Sequence, residues 1–548
     1  MNKLVAFFAV SGLAVVSGCS SPTAPPAPVQ PGSAAWLDRG VCYEIFVRSF
    51  YDSDGDGIGD LEGLIQKLDY VNDGDPATTD DLGATCIWLM PVAESPSYHG
   101  YDVTDYYAVE PDYGTNDDFR RFTDEAHRRG IKVLVDMVIN HSSDEHPFFQ
   151  EALNDPASPY RSWYRFSPAP GPNNEWGDNN WRKSPVRDEY YYGFFSHRMP
   201  DLNWGHPSVR DEMNRVASYW LGDMGADGLR LDAVWHLMEG EDGQAGHAPR
   251  THEMLHEYGE YVRSEHPDSY TLGEVFDGSD AIFAYYPDQL DAYFAFGVSG
   301  AILQAVQTGG GSGLLDAALR MQGQVPNHRY APFLRNHDQT RTLTVLGGDV
   351  ARAKLAATLL LTLPGVPFIY YGEELGMQGD KPDPRLRTPM PWSAAPAGGF
   401  TTGAPWEPMQ EGWETANVEA LGGDEASILN LYRKLIRLRQ EYSVLGAKAE
   451  LVPVQASHPS VVAYLRQKPD SAALVVANLS EEALSDVTLS VAASFLPPGG
   501  ELFATLLLRG GQARMLLDTD QNGGFTDYEP IEVLEPLGAY VIGLSARD

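Results

Sequence analysis

The chain has 548 residues, 43% hydrophobic and 21% charged, which excludes a single small module and a disordered, charge-dominated polymer. Lys and Arg number 39 against 76 Asp and Glu, a net charge of −37 that repels phosphate backbones and anionic headgroups, so nucleic acid is excluded as a partner. Three cysteines in a chain of this length exclude a disulfide framework as the main source of stability.

Residues 1–18 read as a leader: Lys3 is the only charge, and the apolar run from Leu4 is too short to span a membrane comfortably. Val16-Ser17-Gly18-Cys19 resembles a bacterial lipoprotein cleavage box, which implies lipidation of Cys19 and an envelope anchor, in the outer membrane given Ser20; plain secretion is the alternative. Residues 19–35, rich in Pro, Ala and Ser without apolar periodicity, read as a solvated tether. The dense acidity suits a saline exterior.

Eight short apolar runs bounded by turn residues then alternate with helical patterns: Val41–Val47, Ala84–Met90, Ile131–Met137, Gly228–Asp232, Tyr270–Glu274, Leu290–Phe296, Ala331–Asn336 and Pro367–Tyr371. Helices are expected over Phe119–Arg129 and Val209–Met224, with Gly130 stopping the first. The pattern predicts an α/β fold, a (β/α)₈ TIM barrel over 36–141 and 206–446. Residues 142–205, too long for a loop and rich in Trp, Tyr, Asn and Pro, are expected to form an inserted domain after strand 3. Beyond the helix at Ile428–Arg439, alternating runs predict a C-terminal antiparallel β-sandwich domain over 447–548. Cys42 and Cys86 fall in neighbouring apolar runs, and buried free thiols are the expected state, a bridge being the alternative.

The loop after the first strand, Asp52-Ser53-Asp54-Gly55-Asp56-Gly57-Ile58-Gly59-Asp60, sets carboxylates at positions 1, 3, 5 and 9, with Gly at 6 and the Ile58 carbonyl at 7. That spacing predicts a structural Ca²⁺ site, although Gly63 at position 12 departs from an EF-hand. Asp518–Gly523 also alternates oxygens but reads as a solvated turn.

Polar residues gather where barrel strands end, the catalytic face of such a barrel. The clusters are Tyr98–Asp102, Asp136–His141, Gly228–Asp232, Gly273–Val275 and Arg335–Asp338. Arg230 and Asp232 share a strand face, so the guanidinium should keep the carboxylate ionised, while Glu274 beside Leu272 and Val275 should hold its proton if desolvated. Two carboxyls on adjacent strand ends can reach the short separation of a retaining glycosidase.

In this order DMVINH, GLRLDAVWH, GEVF and RNHD, with MPDLN in the inserted stretch, resemble the signature regions of glycoside hydrolase family 13, the α-amylase family, over residues 36–548. The resemblance implies Asp232 as nucleophile, Glu274 as acid and base, and Asp338 as the carboxylate gripping sugar hydroxyls. His99, Tyr101, Asp102, His141, Arg230 and His337 would bind or orient the same sugar. It implies the Ca²⁺ loop at Asp52, Asp54, Asp56, Ile58 and Asp60, and in many relatives a second ion held by Asn140 and the carbonyl of His236. Ala233, where α-1,6-specific relatives carry a bulkier residue, points to α-1,4 bonds in starch-like and malto-oligosaccharide substrates. MPDLN, YYGEELGM and RLRTPMPW place the chain between the oligo-1,6-glucosidase and neopullulanase branches, where mixed α-1,4/α-1,6 specificity and transglycosylation are common. The implied protein is a monomer that meets a membrane only through its anchor. A non-catalytic glycan-binding lipoprotein is the rival from another class, but such proteins usually lack one of the three carboxylates, and all three are present.

Overall fold

The computed structural model describes residues 35–240, 243–277, 280–469, 471–508 and 516–546; Cys19, the leader and nearly all of the tether lie outside them. Seven of the eight apolar runs contain a strand, and the seventh run meets its strand only at Ala331: β1 (Cys42–Ile45), β2 (Cys86–Leu89), β3 (Lys132–Met137), β4 (Gly228–Leu231), β5 (Tyr270–Gly273), β6 (Ala292–Phe294), β7 (Tyr330–Ala331) and β8 (Phe368–Tyr370). From β1 to β7 each strand pairs in parallel with the next, and β8 pairs in parallel with β1. Main-chain bonds from Val366 N to the Tyr330 carbonyl and from Phe368 N to the Pro332 carbonyl, each 2.9 Å, join β7 to β8 and close the barrel.

Strand alternation divides the runs between two apolar environments. Trp88, Leu134, Leu272, Phe294, Ala331 and Phe368 fill the barrel interior, whereas Tyr43, Ile45, Ile87, Leu89, Val133 and Val135 point outward to the helices. Cys42 and Cys86 sit opposite each other in the β1–β2 register, both fully buried, with Cα atoms 4.3 Å apart, and they are joined as a disulfide. This corrects the expectation of free thiols: equal register on neighbouring parallel strands sends both sulfurs to the same spot inside the barrel.

The helix at Asn116–Arg128 begins with a capping box in which Thr115 and Asp118 satisfy each other's backbone N–H, and it buries Phe119, Phe122 and Ala126. The second expected helix is shorter than its periodicity: Pro207–Ser218 is α-helical and Tyr219–Asp223 continues as a π turn.

Between β3 and β4 the chain makes a helix, Pro147–Asn154, and a three-stranded antiparallel sheet of Phe166–Ser167, Tyr190–Tyr192 and Trp181–Lys183. Bridges His141↔Asp201 and Tyr164↔Leu202 tie this stretch to the exit of β3. After the helix Ile428–Glu441 comes an eight-stranded antiparallel sheet. Its strand Val461–Lys468 alternates: Val461, Ala463 and Leu465 face the core of the β domain, and Val462 and Tyr464 face the barrel's outer helices. Arg466, wholly buried on that second face, donates to the carbonyls of Thr362, Gly446 and Ala449 and so stitches the sheet to the barrel.

Candidate active site

The C-terminal ends of the barrel strands open into a cavity of about 560 Å³. Asp232, Glu274 and Asp338 line it together with His99, Tyr101 and His141. Arg230 and His337, both 0% exposed, lie beneath that lining, and Asp102 is held away from it, accepting hydrogen bonds from Ser95 and Ser97.

Arg230 organises the floor. Its Nη1 donates to Asp136 Oδ1 and to Asp232 Oδ1, each at 2.8 Å, and its Nη2 lies 2.8 Å from Glu274 Oε2. Trp88 backs it, with the guanidinium carbon 5.0 Å from the indole centroid and the indole N–H donating to Asp136. One buried cation thus holds carboxylates from β3 and from the exits of β4 and β5, and each of the three is desolvated at the same time. Burial pushes Asp232 up to about 6 against the pull of Arg230, and it pushes Glu274, which also feels the Asp232 charge, up to about 7. At about 6 Asp232 is still largely ionised at neutral pH, as its place beside Arg230 implies, while Glu274 is raised further, in the direction expected of a desolvated acid.

Ala233 follows Asp232 in the left-handed region, φ +47°, and its N–H donates to Glu274 Oε2 at 3.3 Å. The turn brings the backbone after one carboxylate directly against the other.

The opposite wall carries a second charge system. His337 places Nε2 3.2 Å from Asp338 Oδ2 and 2.6 Å from the Tyr101 hydroxyl, and the rings of Tyr101 and His337 stack at 5.6 Å. Arg387 donates through Nη2 to Asp338 Oδ1 at 2.9 Å and through Nε to the His337 carbonyl. Burial disfavours the Asp338 charge, but His337 and Arg387 outweigh it and hold this carboxyl well below the usual range. Burial lowers His141 to about 4, leaving a neutral imidazole whose Nε2 lies 3.0 Å from the Tyr101 carbonyl.

Arg387, Asp136 and Glu44 belong to this site and are not among the candidates drawn from the sequence. Arg387 stood inside the string RLRTPMPW, read only for its branch of the family, Asp136 opened one of the polar clusters at the strand ends without being given a role, and Glu44 was legible as the one carboxylate in the apolar run Val41–Val47.

At the mouth, Trp176 is 53% and Phe276 48% exposed, both lining the cavity. Of the other aromatic residues in the inserted stretch, Trp163, Tyr164, Tyr191 and Tyr192 are buried and serve its packing.

The Asp52–Asp60 loop brings carboxylate oxygens of Asp52, Asp54 and Asp60 within 4.8 Å of one another. Asp56 stays outside this group, accepting from the Ile58 N–H. Hard oxygens converging this closely fit a hard cation. Gly57, at φ +97°, lets the loop pack tightly, since a Cβ there would fall 2.0 Å from the Ala404 carbonyl. At the other expected metal position, the Asn140 side chain and the His236 carbonyl, the neighbouring side chains are engaged within the protein. Asn140 donates its amide to Asp201, a carboxyl that burial pushes up to about 6 against the pull of the Arg165 guanidinium, and the His236 ring is bonded through Nδ1 to the Ala245 carbonyl and stacked on Phe194.

Comparison with known proteins agrees with this geometry. Residues 44–447 match the family described as the α-amylase catalytic domain. α-Amylase 3 of Dictyoglomus thermophilum is 37% identical over 463 residues, covering 81% of this chain and 85% of that protein. The oligo-1,6-glucosidase of Heyndrickxia coagulans is 34% identical, covering 82% and 93%. Among solved structures, an α-amylase from H. orenii superposes with a TM-score of 0.80 at 36% identity, covering 93% of this chain and all of that one. With its eight-stranded barrel and its carboxylate-lined mouth, the chain belongs to the α-amylase family of glycoside hydrolases.

Proposed function

We propose that the protein is a retaining α-glucan hydrolase that cuts α-1,4 bonds of starch-like polysaccharides and malto-oligosaccharides. The observation that carries this reading is Arg230 holding Asp232 and Glu274 on one guanidinium at adjacent strand ends, with both carboxyls lining the cavity and burial raising the proton affinity of Glu274 toward that of an acid. Asp232 attacks the anomeric carbon while Glu274 gives its proton to the departing oxygen. Glu274 then takes a proton from water, which displaces Asp232 with net retention. Asp338, kept ionised by His337 and Arg387, accepts hydrogen bonds from sugar hydroxyls, and Tyr101 stacks on the ring. Bonds that tighten as charge develops at the anomeric carbon lower the barrier more than uniform binding does.

A proton NMR time course with maltoheptaose tests it. The α-anomer of shorter maltodextrins should appear before mutarotation; a first-formed β-anomer overturns retention, and no cleavage at all overturns the linkage. A second reading, transfer to an acceptor sugar, is favoured by the exposed rings of Trp176 and Phe276 at the mouth, and products longer than the substrate would establish it.

The Asp52, Asp54 and Asp60 cluster is assigned to a Ca²⁺ ion that crosslinks the loop after β1, a structural role outside the reaction. Lipidation at Cys19 after removal of the leader would hold the enzyme at the cell envelope, and a Cys19→Ser variant recovered without lipid in the soluble fraction would support that placement.

A further inference from the structure

Glu44 is an anomaly on β1. It is 2% exposed, on an inward-facing position between Trp88 of β2 and Tyr370 of β8, its partners in register. A carboxylate this deep costs stability unless something compensates it. Among the described residues its ion-pair partner is His337, whose Nδ1 lies 2.5 Å from Glu44 Oε1.

The His337 ring therefore faces carboxylates on both edges: Glu44 at Nδ1, and Asp338 at Nε2 with the Tyr101 hydroxyl beside it. A neutral imidazole carries one N–H and would meet one of the two carboxylates lone pair to lone pair, whereas an imidazolium donates to both. Around this pair stand Tyr101 from the loop after β2, Asp136 on β3, Arg230 on β4, Glu274 at the end of β5, and Arg387, which bonds the His337 carbonyl and Asp338. Asp338 divides its charge between the ring and Arg387, and Glu44 faces the ring from the other edge, so both carboxylates favour the imidazolium, Asp338 the more strongly.

We propose that Glu44 is a positioning residue: from the buried face of β1 it keeps His337 an imidazolium, so that the ring fixes Asp338 and Tyr101 in the orientation that grips the sugar. Burial alone would strip the proton from His337; the Asp338 and Glu44 carboxylates outweigh it and raise the group to about 10. Glu44 does not touch substrate. It acts through the imidazole, and this role rests on the glycosidase reading of the same site.

The test separates the two. With histidines labelled in ¹⁵N, the His337 resonances are those, among 14 histidines, that vanish in His337→Gln. In the wild type they should keep imidazolium shifts from pH 6 to 9. In Glu44→Gln, which preserves the shape, only Asp338 still opposes burial, so His337 should lose its proton at a clearly lower pH than in the wild type and within the range 6 to 9. The variant's kcat/KM on maltoheptaose, normalised to wild type, should then fall as pH rises from 5.5 to 9, in step with the loss of the His337 proton seen by NMR, about tenfold per pH unit beyond that titration. Glu44→Asp should recover part of that loss. A wild-type His337 that titrates near neutral pH, or a Glu44→Gln protein whose His337 stays protonated to pH 9, overturns the proposal. Should Glu44→Gln fail to fold, Asp338→Asn decides: it retains Glu44, so His337 must remain an imidazolium at pH 7.5, and a neutral ring there refutes the role. If the wild type cleaves no α-glucan, the glycosidase reading fails while the titration still answers for Glu44.

Discussion

The N–H of Ala233 donates to Glu274 Oε2 across 3.3 Å, so the residue after Asp232 reaches the neighbouring carboxyl through the backbone. The contact depends on a left-handed turn at φ +47° in a residue that is not glycine.

A β-branched side chain tolerates that conformation worse than Ala does, because its second γ substituent crowds the backbone. Ala233→Val should cost about 1 kcal/mol of stability or more and lower kcat/KM on maltoheptaose, since the Glu274 bond is lost as the turn relaxes. Ala233→Gly should keep the turn and most of the activity. Thermal melts and initial rates on the two variants check this, and equal activity of Val and Gly would disconnect the turn from the acid.

The proton affinities of the pair predict a narrow pH optimum. Asp232 must be ionised to attack and loses its proton near pH 6; Glu274 must be protonated to donate and loses its proton near pH 7. The rate should rise with pH through about 6 and fall above about 7, as two macroscopic steps that belong to the coupled pair. An initial-rate profile flat from pH 5 to 8 would contradict that assignment.

How much of this was legible in the sequence follows from what each level depends on. The eight strands were readable because each apolar run is short, bounded by turn residues and repeated with helices between, and the mouth residues were readable because polar groups end those runs. The disulfide was not: whether Cys42 and Cys86 bond depends on equal register between two strands, which neither run encodes alone. Arg387 stands 49 residues after Asp338 and meets it only once the chain has closed the barrel through β8. The extent of the upward push on Asp232 was also beyond reach, since Arg230 two residues earlier speaks only for the ionised form and the desolvation that opposes it is a property of the folded interior.

Removing calcium should lower the melting temperature. A bound ion stabilises the folded state by RT ln(1 + [L]/Kd), about 2.7 kcal/mol at a hundredfold excess over Kd. Excess chelator should remove that contribution from the wild type, and Asp54→Ala, which deletes one of the three converging carboxylates, should melt alike with and without chelator. Elemental analysis showing no calcium, with an unchanged melt under chelation, would reject the site.

Trp176 offers an indole face at the cavity mouth, its edge toward Trp235 and Phe194. Replacing it with Ala should raise KM for maltoheptaose about threefold to tenfold, the factor expected for losing one aromatic contact, and should leave a small aryl glucoside unaffected. An equal effect on both substrates would place the ring in the folding of the loop instead of in the grip on a long chain.

The three cavity carboxylates should respond oppositely to neutralisation. Asp232 and Glu274 have proton affinities raised in the folded state, so each favours folding when protonated, and that contribution is lost as pH rises from the unfolded value near 4 through the folded values of about 6 and about 7. At pH 7.5 their charges oppose folding. Asp232→Asn and Glu274→Gln should therefore melt higher than the wild type at pH 7.5, with Arg230 still paired to Asp136 and the remaining carboxylate, while losing activity by about 10³-fold or more. Asp338 is depressed, so its charge supports folding above the unfolded value and that support is lost as pH falls through the folded one. Asp338→Asn should melt lower at pH 7.5, because it leaves the His337 and Arg387 charges without their shared partner. The gain in the first two variants should shrink as the pH is brought from 7.5 toward 5. If all three variants melted alike, burial could not be the force that separates the carboxylates.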